Sequence, residues 1–181
     1  LMPDEALNHA DAIVTGMAFE TWPQLLLDFK NGALKRHYDQ SPQMNFSNLP
    51  SPRKDLLPKF SYISKNTIQA TFGCPYKCDF CAVISTQKKY LRRPVEDVIK
   101  EISEMNGNFV TFIDPSPMED KKYIKRLLRE MIPLKKMWGG LATVKIGDDE
   151  ELMDLCAESG CKGLLIGFES VEQDALVEIN K

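Results

Sequence analysis

The sequence predicts an α/β fold: a parallel sheet covered by helices, either a doubly wound sheet or part of a (β/α) barrel. Three observations carry this. From Asn66 onward, a short β-branched or apolar run is followed by an amphipathic helical stretch, four times over. The apolar runs are continuous rather than alternating, the pattern of strands buried on both faces. The composition, 43% hydrophobic and 27% charged over 181 residues, is that of a globular chain rather than a disordered or fibrous one.

The elements follow in order. Ala12–Thr15 is a brief apolar run that reads as a buried strand, and Gly16 ends it. Thr21 offers an N-cap, Pro23 suits a first turn, Leu25, Leu26 and Phe29 share a helical face, and Gly32 is the stop. One strand and one helix cannot bury a core alone, so this piece must pack on something else. Pro42, Pro50, Pro52 and Pro58 then fall within eighteen residues, the signature of a linker or extended strap. After it come a strand at Thr67–Phe72, a helix opened by Pro94 with Val95, Val98, Ile99 and Ile102 on one face, and a strand at Phe109–Ile113. A helix carrying Ile124, Leu127, Leu128 and Met131 leads to a third strand at Leu141–Ile146. Asp148 and Glu151 form a capping box for a helix with Leu152 and Leu155. Gly163–Phe168 is the fourth strand, and Ser170 with Gln173 repeats the capping pattern before a last helix through Leu176 and Ile179.

Charge and cysteine content narrow the function. Lys+Arg of 23 against Asp+Glu of 26 gives a net charge of −3, so no global field draws the chain to nucleic acid or anionic membrane. No apolar run is long enough to span a bilayer, and the acidic N-terminus lacks the features of a signal peptide. Five cysteines, an odd number, argue for a reducing, cytoplasmic setting. The run Lys88–Arg93 is the one basic stretch and reads as a solvated loop before a helix.

In either candidate fold, chemistry sits at the C-terminal ends of the strands. The first such position reads Gly73-Cys74-Pro75-Tyr76-Lys77-Cys78-Asp79-Phe80-Cys81, three thiols at spacing C-x3-C-x2-C. Thiolates are soft ligands that suit zinc or iron–sulfur clusters. Three protein ligands leave a coordination position open, which points to chemistry rather than to structure. The competing readings are core cysteines, a redox pair of Cys78 and Cys81, and a zinc site completed by Cys156, Cys161 or a histidine. Cys156 and Cys161 read as core thiols.

The motif C-x3-C-x-aromatic-C after the first strand of a β/α repeat resembles the radical S-adenosylmethionine (radical SAM) enzymes. The resemblance implies that Cys74, Cys78 and Cys81 ligate a [4Fe-4S] cluster whose fourth iron binds S-adenosylmethionine, with Phe80 against the adenine. It implies reductive cleavage to a 5′-deoxyadenosyl radical that abstracts hydrogen from a small-molecule substrate, with an electron donor such as a flavodoxin or ferredoxin; no nucleic-acid partner is expected from the charge balance. Asp114, at the end of the second strand, is the candidate acceptor for the ammonium of S-adenosylmethionine. In similar proteins a second acid and an Asn follow there, whereas Pro115 and Ser116 stand here. Gly167-Phe168-Glu169-Ser170 is similar to the G-x-E-S motif of the family, which makes Glu169 and Ser170 candidates for the ribose and methionine portions.

Asn8–Gly16 followed by Glu20-Thr21-Trp22 is similar to the close of the cobalamin-binding domain that precedes many radical SAM cores. Met17 and Phe19 stand where that subfamily is usually acidic. Its histidine motif D-x-H-x-x-G does not occur, so His9 receives no ligand role, and cobalamin is expected in a longer parent only. The family core has six β/α units and this chain shows about four. With Leu1 in place of Met, the chain is expected to be part of a longer protein. The expected layout is residues 1–40 as the remnant of a cobalamin-binding-like domain, 41–60 as a Pro-rich linker and 61–181 as the N-terminal part of a partial barrel. The reading from another class is a zinc-stabilised α/β binding module built on the same cysteines.

Overall fold

The computed structural model describes residues 2–40, 46–47, 49–58, 62, 64–86 and 89–181. Ser41, Pro42 and Lys88, named above in the linker and the basic run, lie outside the described residues. The chain forms two compact units, Leu1–Leu49 and Pro50–Lys181.

The first unit opens with a short helix, α1 (Pro3–Ala6), and then forms one β-α-β turn. Strand β1 (Ile13–Thr15) leads to helix α2 (Thr21–Lys30), which returns to β2 (His37–Asp39), and the two strands are parallel. β2 escapes the hydrophobic pattern because its sequence, His-Tyr-Asp, is polar and Tyr38 alone is buried. The N-terminus of α2 is capped differently from expectation. Thr21 is already helical, and Gln40, buried past the end of β2, accepts from the Glu20 and Thr21 backbone N–H groups at 3.0 and 3.3 Å. Gly32 ends the helix as expected: its φ of +67° lets the Gly32 and Ala33 N–H groups reach the Phe29 and Asp28 carbonyls.

The second unit holds a four-stranded sheet of β3 (Thr67–Ile68), β6 (Phe109–Phe112), β7 (Met137–Ala142) and β8 (Cys161–Ile166), all parallel and in that spatial order. Two further strands, β4 (Thr71–Phe72) and β5 (Leu91–Arg92), pair antiparallel. The helices are α3 (Val83–Thr86), α4 (Val95–Glu104), α5 (Lys121–Met131), α6 (Glu150–Glu158) and α7 (Gln173–Glu178). Consecutive strands are neighbours with no reversal of direction. That is the winding of a barrel and not of a doubly wound sheet.

Helices α4, α5 and α6 pack one on the next along the sheet. Their apolar faces fill the core: Val95, Val98 and Ile102 of α4, Ile124, Leu127, Leu128 and Met131 of α5, Leu152, Leu155 and Cys156 of α6. Trp138 is fully buried among them, stacked edge-on against Phe112, with its indole N–H donating to Ser159 Oγ at 3.0 Å. Asp120 caps α5 through the Tyr123 N–H.

Several elements depart from the sequence expectation. The run 67–72 is two strands, not one, broken at Gln69 and Ala70. The third strand is Met137–Ala142, and 144–148 instead forms a tight helical turn. Glycines 139 and 140 are therefore the body of the strand: a Cβ on Gly140 would meet Phe112 Cβ at 3.1 Å. Asp149, not Asp148, caps α6, accepting from the Leu152 N–H at 3.0 Å, and Pro94 precedes α4 as its cap residue. Among the described residues, only one sheet face is covered. Phe109, Ile113, Met137 and Leu165 are exposed, so the continuous apolar runs do not mean two covered faces in this chain.

A buried ion triad closes the outer side of β3. Glu101 of α4 takes Lys54 Nζ at 2.8 Å and Arg93 at 2.9 Å, and the two cations also donate to the Thr67 and Gln69 carbonyls. Breaking a buried pair strands the partner charge, at about 3–5 kcal/mol. Glu101→Ala is therefore expected to lower the unfolding free energy by about that much in urea titration, and Asp149→Ala to lower it by less, through loss of its cap and of its pairing with Lys125.

Candidate functional site

The C-terminal edge of the sheet begins at the break between β3 and β4. Past Ile68 the backbone has no neighbouring strand to bond to, because β6 ends at Phe112. The side chain of Asp114 replaces it. Its Oδ1 accepts from the Ala70 N–H at 2.9 Å, the Thr71 N–H and the Thr71 hydroxyl at 2.7 Å. The Ala70 carbonyl accepts from the Arg93 N–H at 2.9 Å and from Tyr123 Oη at 3.3 Å. The chain can then turn into β4, pair with β5, and leave through Gly73, whose φ is +77°.

The loop that follows carries Cys74, Cys78 and Cys81. All three are free thiols and half-buried. The Cys81 N–H donates to the Cys78 carbonyl at 3.0 Å, a turn that brings the last two onto one bend. Among the described residues, no three His, Cys, Asp or Glu side chains close around a single metal ion. Among the described residues the loop is thus no preformed cage for any metal, zinc or iron. As a donor set, three unpaired soft thiols on one exposed loop fit the ligation of an iron–sulfur cluster.

Side chains tether this loop on two sides. Tyr76 Oη donates to Glu119 Oε2 at 2.6 Å. Burial, with Glu119 second, raises the Tyr76 phenol well above its ordinary pKa. Glu119 Oε1 in turn accepts from Ser116 Oγ and Thr143 Oγ1, both at 3.1 Å. On the other side, Asn180 Nδ2 donates to Asp79 at 2.9 Å, and the Asp79 N–H donates to the Ile179 carbonyl at 3.1 Å.

The remaining candidates are placed unequally. Phe80 is exposed, and Lys181 Nζ lies 6.0 Å from its ring centroid. The same ammonium sits 3.3 Å from Glu169 Oε1, so Phe80 and Glu169 share one neighbourhood at the ends of different segments. Glu169 has φ of +62°, a turn that follows β8 closely. Ser170 Oγ accepts from the Glu172 N–H at 3.0 Å, a local turn before α7, whose own cap position is Glu172. Asp114 is fully buried, and its Oδ2 has no hydrogen-bond partner among the described residues. Cys156 is in the core, where burial pushes its thiol up to about 12, and Cys161 opens β8 at the opposite edge of the parallel sheet from the cysteine loop. Neither can complete a metal site with the loop. Lys145 lies over the Tyr76 ring at 4.6 Å.

Glu119, Tyr76 and Asn180 escape a reading of the sequence alone. The signal that could have found the first is position, an acid in the loop after a strand end; Tyr76 lies inside the motif, and nothing in its spacing points to Glu119.

Asp114 gives a pH dependence. Burial outweighs the bonds from Thr71 and Ala70 and raises its carboxyl from 3.8 to about 6. The folded state therefore holds the proton more tightly, and this stability is present below about pH 4 and lost as pH rises to about 6. The full effect is roughly 3 kcal/mol. Urea unfolding at pH 4 and pH 6.5 is expected to show that fall in the wild type and a flatter profile in Asp114→Asn; equal profiles would remove Asp114 as its source.

Comparisons with known proteins address the family and the fold. The model of the radical SAM superfamily matches residues 68–181. The bacteriochlorophyllide d C-12(1)-methyltransferase of Chlorobaculum tepidum is 28% identical over 100% of this chain and 42% of its own length. The C-8(2)-methyltransferase of the same organism is 28% identical over 99% of this chain and 44% of its length. The chain thus spans less than half the length of these curated relatives. Among solved structures, the radical S-adenosylmethionine methyltransferase TsrM from Kitasatospora setae, with cobalamin and a [4Fe-4S] cluster bound, superposes with a TM-score of 0.57 at 22% identity, over 61% of this chain and 22% of TsrM.

Proposed function

The chain belongs to the radical SAM superfamily, and we propose that Cys74, Cys78 and Cys81 hold a [4Fe-4S] cluster that serves the reductive cleavage of S-adenosylmethionine. The observation that carries the reading is the loop itself: three unpaired thiols leaving the C-terminal edge of a singly wound parallel sheet. When bound, the cluster supplies the electron that breaks the sulfonium C–S bond, and the chemistry belongs to the cofactors.

The chain's own residues bind and orient. The exposed face of Phe80 offers an apolar surface to adenine. Glu169, beside it, accepts from ribose hydroxyls or the amino group, and Ser170 shapes the turn that carries it. Asp114 is the candidate for the ammonium of S-adenosylmethionine: its Oδ2 has no partner among the described residues, but it is buried, so a charge-assisted bond there requires the covering loop to shift. The electron comes from a donor of the flavodoxin or ferredoxin kind, in a reducing compartment such as the cytoplasm.

In the longer parent, residues 1–40 close a cobalamin-binding domain, 41–60 link it, and 61–181 begin the barrel. The boundary between the two compact units, Leu49 to Pro50, falls inside that linker. The relatives named as methyltransferases align over the first unit as well as the second, which supports methyl transfer to a small molecule, with cobalamin, as the reaction of the parent.

Iron and sulfide analysis after anaerobic reconstitution tests the reading. About four irons with matching sulfide per chain are expected. Alanine at Cys74, Cys78 or Cys81 is expected to abolish the cluster, and Cys156→Ala or Cys161→Ala to leave it. Stoichiometric zinc without labile sulfide would instead favour the zinc-stabilised module.

A further inference from the structure

Glu119 takes no part in the chemistry proposed above, yet segments from three strand ends meet on its carboxylate. Oε2 accepts from Tyr76, which stands inside the cysteine motif between Cys74 and Cys78, at 2.6 Å. Oε1 accepts from Ser116, two residues past Asp114, and from Thr143, just past β7, both at 3.1 Å. Lys145 lies against the same Tyr76 ring at 4.6 Å. Ser116 is buried, so its hydroxyl has a fixed origin on the scaffold.

We propose that Glu119 is a positioning residue: it anchors the cysteine loop to the ends of β6 and β7, and through Tyr76 it sets how Cys74 and Cys78 face their metal. The proposal rests on the reading of those cysteines as cluster ligands.

Three arguments carry it. The loop has no regular secondary structure between Gly73 and Ala82, and Pro75, Lys77, Asp79 and Phe80 are exposed, so little packing holds it, and its backbone bond from Asp79 to Ile179 fixes the far side, past Cys78. Three ligands on such a loop need outside support to keep their mutual positions, the task that residues behind metal ligands generally perform. And the carboxylate is over-determined. Hydroxyl donors occupy both of its oxygens, so it cannot swing away without losing several charge-assisted bonds at once. Tyr76 reaches it from the loop, while the other two donors belong to the sheet end. Pulling the phenol off therefore releases the Cys74–Cys78 side of the loop, while the Asp79 tether to Ile179 and Asn180 and the scaffold stay in place.

The test uses the full chain, reconstituted anaerobically, as wild type, Tyr76→Phe, Glu119→Gln and the double variant. Tyr76→Phe removes one hydroxyl and keeps the ring. Three quantities are read: iron and sulfide content, the rate of iron loss to a chelator, and the EPR spectrum of the reduced cluster with and without S-adenosylmethionine. Each single variant is expected to take up iron near the wild-type level, to lose it about tenfold faster, as for one lost charge-assisted bond, and to alter the EPR line shape. The double variant is expected to be no worse than Glu119→Gln alone, because Tyr76→Phe removes only a bond that Glu119→Gln already weakens. The EPR line shape separates positioning from a general loss of stability, which would change unfolding without changing the spectrum of the clusters that remain. If Glu119→Gln does not fold, Tyr76→Phe alone carries the same expectations. A wild-type cluster with variants unchanged in rate and spectrum overturns the proposal, as do effects that multiply in the double variant. A wild-type chain that takes up no iron and sulfide overturns the cluster reading and this one with it.

Discussion

Asp114 Oδ1 collects three hydrogen bonds from two successive residues, the Ala70 N–H, the Thr71 N–H and the Thr71 hydroxyl. All the groups are buried, and each N–H left without an acceptor there would cost about 1–3 kcal/mol. A carboxylate thus stands in for a strand at the point where β3 runs out of partners. The turn into β4 follows, with its pairing to β5 and the departure of the cysteine loop. The position of the three thiols relative to the sheet descends from that contact. Burial of the whole carboxyl, with its second oxygen left without a partner among the described residues, is what pushes its pKa up, to about 6.

Around this centre the second unit divides its labour by face and by edge. One face of the sheet is dry: α4, α5 and α6 cover it with aliphatic side chains, and Trp138 has its one polar atom satisfied. That face supplies rigidity. The C-terminal edge carries polar groups in pairs that reach from loop to loop, Tyr76 with Glu119 and Asp79 with Asn180. A long loop needs such ties because it buries little apolar surface of its own. On the outer side of β3, the Lys54–Glu101–Arg93 triad serves the backbone carbonyls of an edge strand that would otherwise be exposed to pairing.

The sheet order is what separates the two folds that the strand–helix rhythm allows. Alternation of strand and helix is common to doubly wound sheets and to barrels, since both are made of the same crossover unit. The difference lies in which strands are neighbours, and that is a long-range property. The same holds for the break at Gln69–Ala70. Thr67–Phe72 has the β-branched and aromatic residues of one strand, and nothing local tells it to stop after Ile68; the end of β6, some forty residues on, does.

Local patterns were sufficient for what depends on local forces. The 3.6-residue spacing of Ile124, Leu127, Leu128 and Met131 specifies one buried helix face, because side chains at that spacing share a side whatever the helix packs on. The spacing of Cys74, Cys78 and Cys81, after a strand and before a helix, is likewise legible in the sequence, and the resemblance to the radical SAM motif is what makes them candidate ligands. The limits of β7, the existence of β2 and β5, and the cap of α2 by Gln40 were decided by partners distant in sequence. So were the tether of Tyr76 to Glu119 and the burial of Asp114. Each of these depends on which backbone groups find an acceptor and which side chains lose water, and only the assembled sheet determines that.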